Sequence, residues 1–304
     1  MDRQKVLAIV GPTGIGKTSL SVWLAKQLDG EIISCDSMQV YKKMDIGTAK
    51  VTQEEMQGIH HELIDVQNYN EPYNVKVFQE KCRTAIEDVV KRGKFPILCG
   101  GTGLYLKAAL YDYEFQEENE DIAYTTFLNS KTNEELVAML KEKDEKALEK
   151  IHPNNRKRLI RALQICHSGT SKSEQEDKQQ HIPLYDVYFL GLDVNREILH
   201  DRINKRVDIM FENGLVKEVE DLFTNPETWE YTSFQGIGYK EFKDYFLKEK
   251  SIDEVKTAIK THSRQYAKRQ YTWFKNQMPV HWFEAQNRNE IYNAVKEWLM
   301  DEDK

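Results

Sequence analysis

The feature that most constrains this chain is a short loop near its start, GPTGIGKT at residues 11–18. It matches the phosphate-loop pattern G-x-x-x-x-G-K-[ST] and lies between an apolar strand pattern at 5–10 and a helix pattern at 17–29. Backbone N–H groups, the helix N-terminus and the lysine of such a loop attract phosphate. We therefore expect two adjacent phosphoryl groups to bind at Gly11, Pro12, Thr13, Gly14, Ile15, Gly16, Lys17 and Thr18.

The last residue of the loop indicates a cofactor. Thr18 occupies the position whose hydroxyl binds Mg²⁺ in loops of this pattern. A phosphate loop does not by itself identify a nucleoside triphosphate. It predicts phosphoryl groups with a Mg²⁺ ion, which Thr18 would hold.

Alternating strand and helix patterns predict the fold class. Apolar strand patterns recur at 31–35, 95–99 and 185–192, and a helix pattern covers 74–92. Such units form a parallel sheet covered by helices on both faces. We therefore expect an α/β fold, a P-loop NTPase-like parallel sheet flanked by helices. The rest of the chain reads as helical, with a helix at 196–211, a strand near 280–283 and a final amphipathic helix.

The stretch between residues 113 and 182 departs from this alternation. It is acidic and helical in pattern, with few strand signals, and the strand pattern resumes only after it. We expect a mostly helical insertion domain at 113–182. The P-loop catalytic core would then be discontinuous, made of residues 1–112 and 183–304.

Charge is distributed unevenly along the 304 residues, whose formal net charge is −7. Residues 111–149 carry twelve acids and four lysines, whereas 255–283 carry six Lys or Arg and no acid. A second basic island, at 151–169, also lacks acids. Segregated charge lets one face attract nucleic-acid phosphates while the whole protein stays acidic. Two solvated helix faces are the alternative explanation.

Composition also excludes some classes of protein. No run of eighteen apolar residues occurs, and the first residues lead into a strand pattern instead of a signal sequence, which indicates a cytoplasmic enzyme without a membrane segment. The cysteines are far apart and show no Cys-x-x-Cys spacing, so we expect free thiols and no zinc site. They are Cys35, Cys82, Cys99 and Cys166.

Asp36 follows the second strand pattern, at the carboxyl end where open α/β sheets bind ligands. A carboxylate beside phosphates has three uses: to bind Mg²⁺, to cap a helix or to accept a proton. The moderately apolar strand before it weakens the first use, and a general base is favoured. Ser37 and Gln39 would then hold the acceptor, because glutamine suits an adenine edge.

Three classes of protein fit these residues. A kinase would transfer the γ-phosphoryl group of ATP and should add an adenine clamp and lid arginines. A transferase would release diphosphate from an organic group, and a non-catalytic RNA-binding protein would do neither. Arg202 and Arg206, one turn apart on the predicted helix, suit either enzyme because they would stabilise charge on a leaving phosphate.

Seven motifs, in order and over nearly the whole chain, resemble those of the bacterial tRNA dimethylallyltransferases. They are GPTGIGKT, DSMQVYKKMDIGTAK, HHELIDV, GGTGLYLKAAL, IHPNNRKRLIRAL, IGYKEF and RQYAKRQYTWFK. The resemblance implies transfer of the dimethylallyl group of dimethylallyl diphosphate to N6 of adenosine 37 of tRNA, with release of diphosphate. A P-loop kinase of a small molecule or nucleotide is the alternative.

The resemblance also implies roles for single residues. Asp36 would take the proton from the adenine amine, and Thr13 and Lys17 would act at the diphosphate. Arg206 would stabilise the transition state, with Arg202 as the other candidate. The partners would be dimethylallyl diphosphate and the anticodon stem-loop of tRNA, bound by a monomer.

The tRNA-binding residues implied by the resemblance lie in five segments. Residues 36–39 would hold the flipped base, and 157–161 would contact the stem-loop. Thr125 lies in a segment where the family commonly has an arginine, in an insertion shorter than is usual for the family. The full set is Asp36, Ser37, Met38, Gln39, Thr102, Thr125, Lys157, Arg158, Leu159, Ile160, Arg161, Arg264, Lys268 and Arg269.

The last long helix pattern has a basic face and aromatic residues. Its charges at spacings of four predict one basic stripe that would follow the RNA backbone, formed by Lys256, Lys260, Arg264 and Lys268. Helical aromatics beside such a stripe are more often core anchors than base-stacking groups. These are Tyr266, Tyr271, Trp273 and Phe274. We likewise expect His60 and His61 to be structural.

Overall fold

The computed structural model describes residues 3–115, 121–174 and 181–301. Within them, six parallel strands form one sheet in the order β3-β2-β4-β1-β5-β6. They are β1 (Lys5–Val10), β2 (Gly30–Ser34), β3 (His61–Glu62), β4 (Phe95–Gly100), β5 (Asp186–Asp193) and β6 (His281–Glu284). The predicted α/β class with a parallel sheet is confirmed.

The described ranges contain twelve α-helices for which both the first and the last residue are described. They are α1 (Lys17–Leu28), α2 (Gln53–Met56), α3 (Val75–Lys91), α4 (Gly103–Leu110), α5 (Ile122–Asn129), α6 (Asn133–Asp144), α7 (Arg156–His167), α8 (Arg196–Glu212), α9 (Leu215–Leu222), α10 (Lys243–Phe246), α11 (Ile252–Gln277) and α12 (Arg288–Met300). Short 3₁₀ helices lie at Glu145–Glu149, Pro226–Glu230, Thr232–Gln235 and Lys240–Phe242.

The central strand β1 explains why both faces of the sheet are covered. Its residues point alternately to the two faces. Val6, Ala8 and Val10 enter one core with residues of α3 and α11, while Leu7 and Ile9 enter a second core with residues of α1 and α12. All five side chains are fully buried. A continuous apolar run is therefore the correct pattern for this strand.

The sheet register brings three loops to one edge. Strand β4 pairs with both β1 and β2, and the pairing with β2 continues for one residue, because Cys35 N–H donates to Cys99 O at 2.8 Å. A Cβ at Gly100 would lie 2.3 Å from Cys35 O, so only glycine permits this approach. The phosphate loop after β1, Asp36 after β2 and Gly101 after β4 consequently start side by side.

Observed and predicted elements differ mainly at their ends. The second strand ends at Ser34 instead of residue 35, and the first helix ends at Leu28 instead of residue 29. Strand β3 was not predicted. It has only two residues, His61 and Glu62, both polar, so no apolar run marked it.

The chain divides into two compact units. The first contains residues 1–111 and 183–304, and the second contains residues 112–182. The predicted boundary placed Asp112 in the core, whereas the structure places it in the second unit. The predicted insertion also contains residues 116–120 and 175–180, which lie outside the described residues.

The second unit, described alone, is a helical unit built on α5, α6 and α7. Its core consists of leucines on all three helices, among them Leu128, Leu136 and Leu159, each with no exposed surface. Arg156, at the start of α7, donates to backbone carbonyls of Leu128, Asn129 and Lys131, so it is a structural member of the basic island.

The structure also bears on the predictions about membrane segments and cysteines. No helix in the described ranges is long and apolar enough to span a membrane. All four cysteines are free, with Cys35 and Cys82 fully buried.

Candidate active site

The phosphate loop takes a conformation that requires glycine at two positions. Gly14 and Gly16 have φ of 79° and 107°, in the left-handed region that side chains disfavour. Gly16 precedes the first residue of α1, so the loop ends at a helix N-terminus with its N–H groups available to an anion. The loop therefore has the local geometry of an anion site, and binding of phosphate there stays a prediction.

Lys17 folds back over this loop. Its Nζ donates to the carbonyl oxygens of Gly11 and Pro12, at 2.9 Å each. Burial lowers the pKa of Lys17 to about 8, the charge of Arg206 adds to this shift, and Cys99 and Asp36 oppose it. The lysine is thus held at the loop with a charge that titrates near neutral pH.

Asp36 forms a turn rather than a helix cap. Its Oδ1 accepts hydrogen bonds from the backbone N–H groups of Met38, at 2.8 Å, and Gln39, at 3.3 Å. No helix begins between residues 37 and 52, all of which are described, so the helix-cap alternative is wrong. Among the described residues, none donates a hydrogen bond to Oδ2. One carboxylate oxygen therefore orders the segment and the other is available for chemistry.

A cavity of about 370 Å³, which we call the phosphate-loop cavity, lies over the loop. Its walls combine loop residues, the ends of β2 and β4, and one face of α8 and α11. The groups relevant to chemistry are Thr13, Lys17, Thr18, Asp36, Arg202, Arg206, Tyr266 and Gln270. The cavity gathers three of the predicted cations, together with the carboxylates of Asp36 and Glu55.

A second cavity, of about 350 Å³, adjoins the first, and we call it the Met38 cavity. Met38, Val207, Met210 and Ile237 supply apolar walls, and Ser37 with other hydroxyl and amide groups supplies polar ones. Four residues line both cavities: Thr13, Asp36, Arg206 and Tyr266. Two compartments therefore meet at the carboxylate that the sequence favoured as a base.

The largest cavity near the loop does not contain this chemistry. It measures about 690 Å³ and lies against Gly14, Gly16 and the segment after β5. Neither Asp36 nor Lys17 lines it. Size alone would thus select the wrong compartment, and the position of the ionisable groups selects the other two.

The two candidate arginines occupy different positions. Arg206 lines both meeting cavities and contacts the carbonyl of Ala49 at 3.4 Å, while Arg202 contacts the carbonyl of Ile15 at 3.3 Å. Burial lowers the pKa of Arg206, and Asp36 opposes that shift. Arg206 is therefore the arginine shared by both meeting cavities, whereas Arg202 lines only the phosphate-loop cavity of the two.

Glu218, a residue that the sequence did not single out, stabilises the wall of the Met38 cavity. The carboxylate of Glu218, on α9, accepts from three consecutive backbone N–H groups at residues 45–47 and from the hydroxyl of Tyr239 at 2.7 Å. A Cβ at Gly47 would lie 2.5 Å from the Tyr239 ring. The motifs containing residues 45–47 and Tyr239 were noted, but only the fold shows that Glu218 joins them.

Three residues of the predicted loop and RNA sets cannot contact ligands as expected. Pro12 has no N–H, and its carbonyl accepts from Lys17, so its predicted contact with diphosphate is wrong. The side chain of Ile15 is buried in the core, which leaves only its backbone for phosphate. Leu159 is fully buried in the helical unit, so its side chain cannot contact tRNA.

The basic stripe on α11 is only partly free. Lys256 and Lys260 both form ion pairs with Asp208 of α8, at 2.7 Å each. Arg264 donates to Asn204 Oδ1 at 2.5 Å. The predicted basic stripe is therefore weakened in its first half, because a single carboxylate from another helix pairs with both lysines and offsets one of their two charges. Lys268 and Arg269 are exposed.

The aromatics of the same helix divide between core and site. Phe274 is fully buried, as predicted, and Trp273 packs against Gly103. Tyr271 donates to Asp193 Oδ2 at 2.8 Å. Tyr266 is different, because it lines both meeting cavities. Burial and the charge of Asp36 raise its pKa, and hydrogen bonds with Thr102 and Gln270 oppose the shift.

The two histidines, His60 and His61, also differ in their surroundings. His60 pairs with Glu62 at 3.0 Å, beside an Arg92–Glu62 ion pair of 2.9 Å, in agreement with a structural role. His61 lines the phosphate-loop cavity, a position that the sequence did not indicate. Its Nδ1 donates to Ile59 O at 2.9 Å, and burial lowers its pKa.

The remaining predicted tRNA residues lie on accessible positions of their own units. Lys157, Arg158 and Arg161 are exposed on α7, whereas Ile160 is half-buried. Thr125, on α5, accepts a hydrogen bond from Gln164 at 2.8 Å. In the first unit, Gln39 lines the phosphate-loop cavity and donates to Ala49 O at 3.2 Å.

The oxygen donors at the loop suit a magnesium ion. Thr18 is exposed and lines the phosphate-loop cavity, which also contains the carboxylate of Asp36. Mg²⁺ prefers oxygen ligands and usually binds through substrate phosphates with one or two protein groups. A single hydroxyl beside a phosphate loop matches that requirement.

Comparisons with known proteins show the family of this chain. A family model described as IPP transferase matches residues 39–277. The tRNA dimethylallyltransferase of Bacillus anthracis is 50% identical over 290 residues, which cover 94% of this chain and 92% of that protein. These matches include the segment after Asp36 and most of α11.

Solved structures are similar over almost the whole chain. The tRNA isopentenylpyrophosphate transferase of Bacillus halodurans is 41% identical with a TM-score of 0.75, and the match covers 98% of this chain and 97% of that one. A eukaryotic dimethylallyltransferase acting on tRNA is 32% identical with a TM-score of 0.81, covering 98% and 78%. The predicted P-loop NTPase-like fold is therefore confirmed.

Proposed function

This chain belongs to the IPP transferase family, and from that premise we propose that it transfers the dimethylallyl group of dimethylallyl diphosphate to N6 of adenosine 37 of tRNA, releasing diphosphate. The observation that carries the proposal is the meeting of two cavities at Thr13, Asp36, Arg206 and Tyr266. A donor held by phosphates and an acceptor base need separate compartments that share one reactive point. The diphosphate fits the phosphate-loop cavity and the base fits the Met38 cavity.

Asp36 is the general base of the proposed reaction. The bond between N6 of adenine and C1 of the dimethylallyl group forms while the C1–O bond to diphosphate breaks. The displaced N6 proton passes to the carboxylate of Asp36, whose Oδ1 is held by the N–H groups of Met38 and Gln39. A base fixed by its own turn needs little reorganisation. No covalent enzyme intermediate is required.

The loop and its cations act on the leaving group. Breaking the C1–O bond places negative charge on the diphosphate, so positive groups that contact it most strongly at that moment lower the barrier. Lys17 would exchange the carbonyls of Gly11 and Pro12 for phosphate oxygens, and Arg206 would approach from α8. A Mg²⁺ ion, held by Thr18 and the phosphates, would neutralise further charge.

The RNA backbone contacts are electrostatic and lie around the cavities, with Arg269 at the wall of the Met38 cavity. A base stacked in a loop must be extruded to enter a pocket, and phosphate contacts around it hold the RNA while this occurs. We assign these contacts to Lys268 and Arg269 on the first unit. Lys157, Arg158 and Arg161 on the helical unit would bind the anticodon stem-loop. The protein would act as a cytoplasmic monomer.

The test is transfer of radiolabel from dimethylallyl diphosphate to unmodified tRNA in the presence of Mg²⁺. Label should appear on adenosine 37, located by nucleoside mass spectrometry, and should be absent from a matched transcript with guanosine at that position. Label elsewhere, or no label together with hydrolysis of ATP, contradicts the proposal. The second result would instead support the kinase alternative.

A further inference from the structure

Gln270, in the last third of α11, is a buried glutamine whose amide forms hydrogen bonds with two loops of the site. Its Oε1 accepts from the N–H of Thr13 at 2.9 Å, and its Nε2 donates to the carbonyl of Gly101 at 3.0 Å. Only 7% of the residue is exposed. A single side chain thus joins the phosphate loop to the loop that follows β4.

The contact with Gln270 leaves no room for a side chain at Gly101. A Cβ at Gly101 would lie 2.1 Å from Nε2, so the absence of a side chain there allows the contact. Gln270 also adjoins Tyr266, one turn earlier on α11, which lines both meeting cavities. Removing the amide would leave two buried backbone groups unpaired, a loss that water in a closed site replaces poorly.

We propose that Gln270 is a positioning residue that sets the phosphate loop and the Gly101 loop at a fixed separation, so that Thr13 and Thr102 present the donor and the acceptor to Asp36 in register. The assignment rests on the proposed transfer reaction. Gln270 acts through Thr13 and Gly101, and it takes no part in bond breaking. Reacting groups lose rate steeply when they are misplaced by a fraction of an ångström to one ångström.

The first test compares two glutamines on α11. Gln270→Met keeps the length of the side chain but removes both hydrogen bonds, and Gln265→Met makes the same change at an exposed position of the same helix. We expect Gln270→Met to lower kcat/KM for dimethylallyl diphosphate by about 10²-fold, through both kcat and KM, with the Kd for tRNA changed less than about twofold. Gln265→Met should match the wild type.

The second test distinguishes positioning from general damage. In Gln270→Glu, the ionised carboxylate still accepts from Thr13 N–H but cannot donate to Gly101 O. The protonated acid restores both contacts. Burial and the carboxylates of Asp36 and Glu55 favour that form, whereas the cations of the same cavity, Lys17, Arg202 and Arg206, favour the ionised form. The activity of Gln270→Glu relative to wild type should therefore rise at least about fivefold from pH 8 to pH 6, whereas the ratio for Gln270→Met should stay flat.

Outcomes separate the proposal from its premise. If the wild type transfers label and Gln270→Met does so with unchanged kcat and KM, the positioning role is overturned. A flat Gln270→Glu ratio overturns it as well, even if Gln270→Met does not fold. If the wild type transfers no label, the proposed function fails. The positioning role is then decided by inorganic pyrophosphate titrated into wild type and Gln270→Glu, where weaker binding that recovers at low pH supports it and equal binding refutes it.

Discussion

Positive charge is carried in two ways in this molecule. At the phosphate loop, Lys17 and Arg206 are desolvated and contact backbone carbonyls, and Asp36 interacts with both of them. On the helical unit, Lys157 and Arg158 extend from α7 into solvent. Burial changes the pKa of the first pair, while the second pair is screened by salt within about 10 Å.

The two kinds of cation should therefore be detected by different measurements. A desolvated cation interacts strongly with a nearby charge, so single substitutions should change rates and introduce pH dependence. Exposed cations act together on a distant chain of phosphates, so their loss should change salt dependence more than rate. Single substitutions can test whether desolvated and exposed cations differ in this way.

The largest effect is expected at the carboxylate between the buried cations. Asp36→Asn keeps an oxygen for the N–H groups of Met38 and Gln39 but removes the base, so the single-turnover rate of transfer should fall roughly 10²–10⁴-fold. Binding of diphosphate, measured by calorimetry, should change little. A rate within about threefold of wild type would exclude Asp36 as the base.

Arg206 should rank second. Arg206→Gln removes the cation beside the leaving diphosphate, and we expect a loss of about 10²–10³-fold in kcat. Arg202→Gln, one turn earlier on α8, is the comparison variant and should cost less, because Arg202 lines only the phosphate-loop cavity of the two and is absent from the Met38 cavity. Equal losses in single-turnover assays would show that the two arginines share the role.

Lys17 should make diphosphate binding depend on pH. Its pKa of about 8 means that the free protein holds the proton at pH 7 and has mostly lost it at pH 9. Because binding requires the charged form, pyrophosphate affinity should fall about tenfold between these values. Lys17→Met should bind weakly at both. An affinity that is unchanged in the wild type would refute the charge assigned to Lys17.

The smallest effect is expected on the helical unit. Replacing both Lys157 and Arg158 with alanine should weaken tRNA binding by about tenfold at low salt and reduce the slope of log Kd against log salt by about 1 per residue. Pyrophosphate affinity should not change. Lys141→Ala with Lys143→Ala, on the acidic helix α6, is a matched control. A slope equal to the wild type would assign the α7 charges to ordinary solvation.

Local sequence rules predicted the parallel sheet, the phosphate loop and the edge of the sheet where Asp36 lies. They succeeded because buried strands and glycine-rich loops are determined by neighbouring residues. They failed where a distant residue decides the outcome. Asp208 pairs with both Lys256 and Lys260 from another helix, and Glu218 anchors a loop more than 170 residues earlier. Gln270 shows the same limit, because its partners are known only after folding.

The division between buried and exposed cations is tested most directly by one crossed measurement. Wild type, Arg206→Gln and the Lys157→Ala/Arg158→Ala variant are each assayed over a range of salt for tRNA Kd and for single-turnover transfer at saturating tRNA. We predict that Arg206→Gln lowers the rate and leaves the salt slope of Kd unchanged, while the double variant lowers the slope and leaves the rate unchanged. A change in both quantities for either variant would contradict the account.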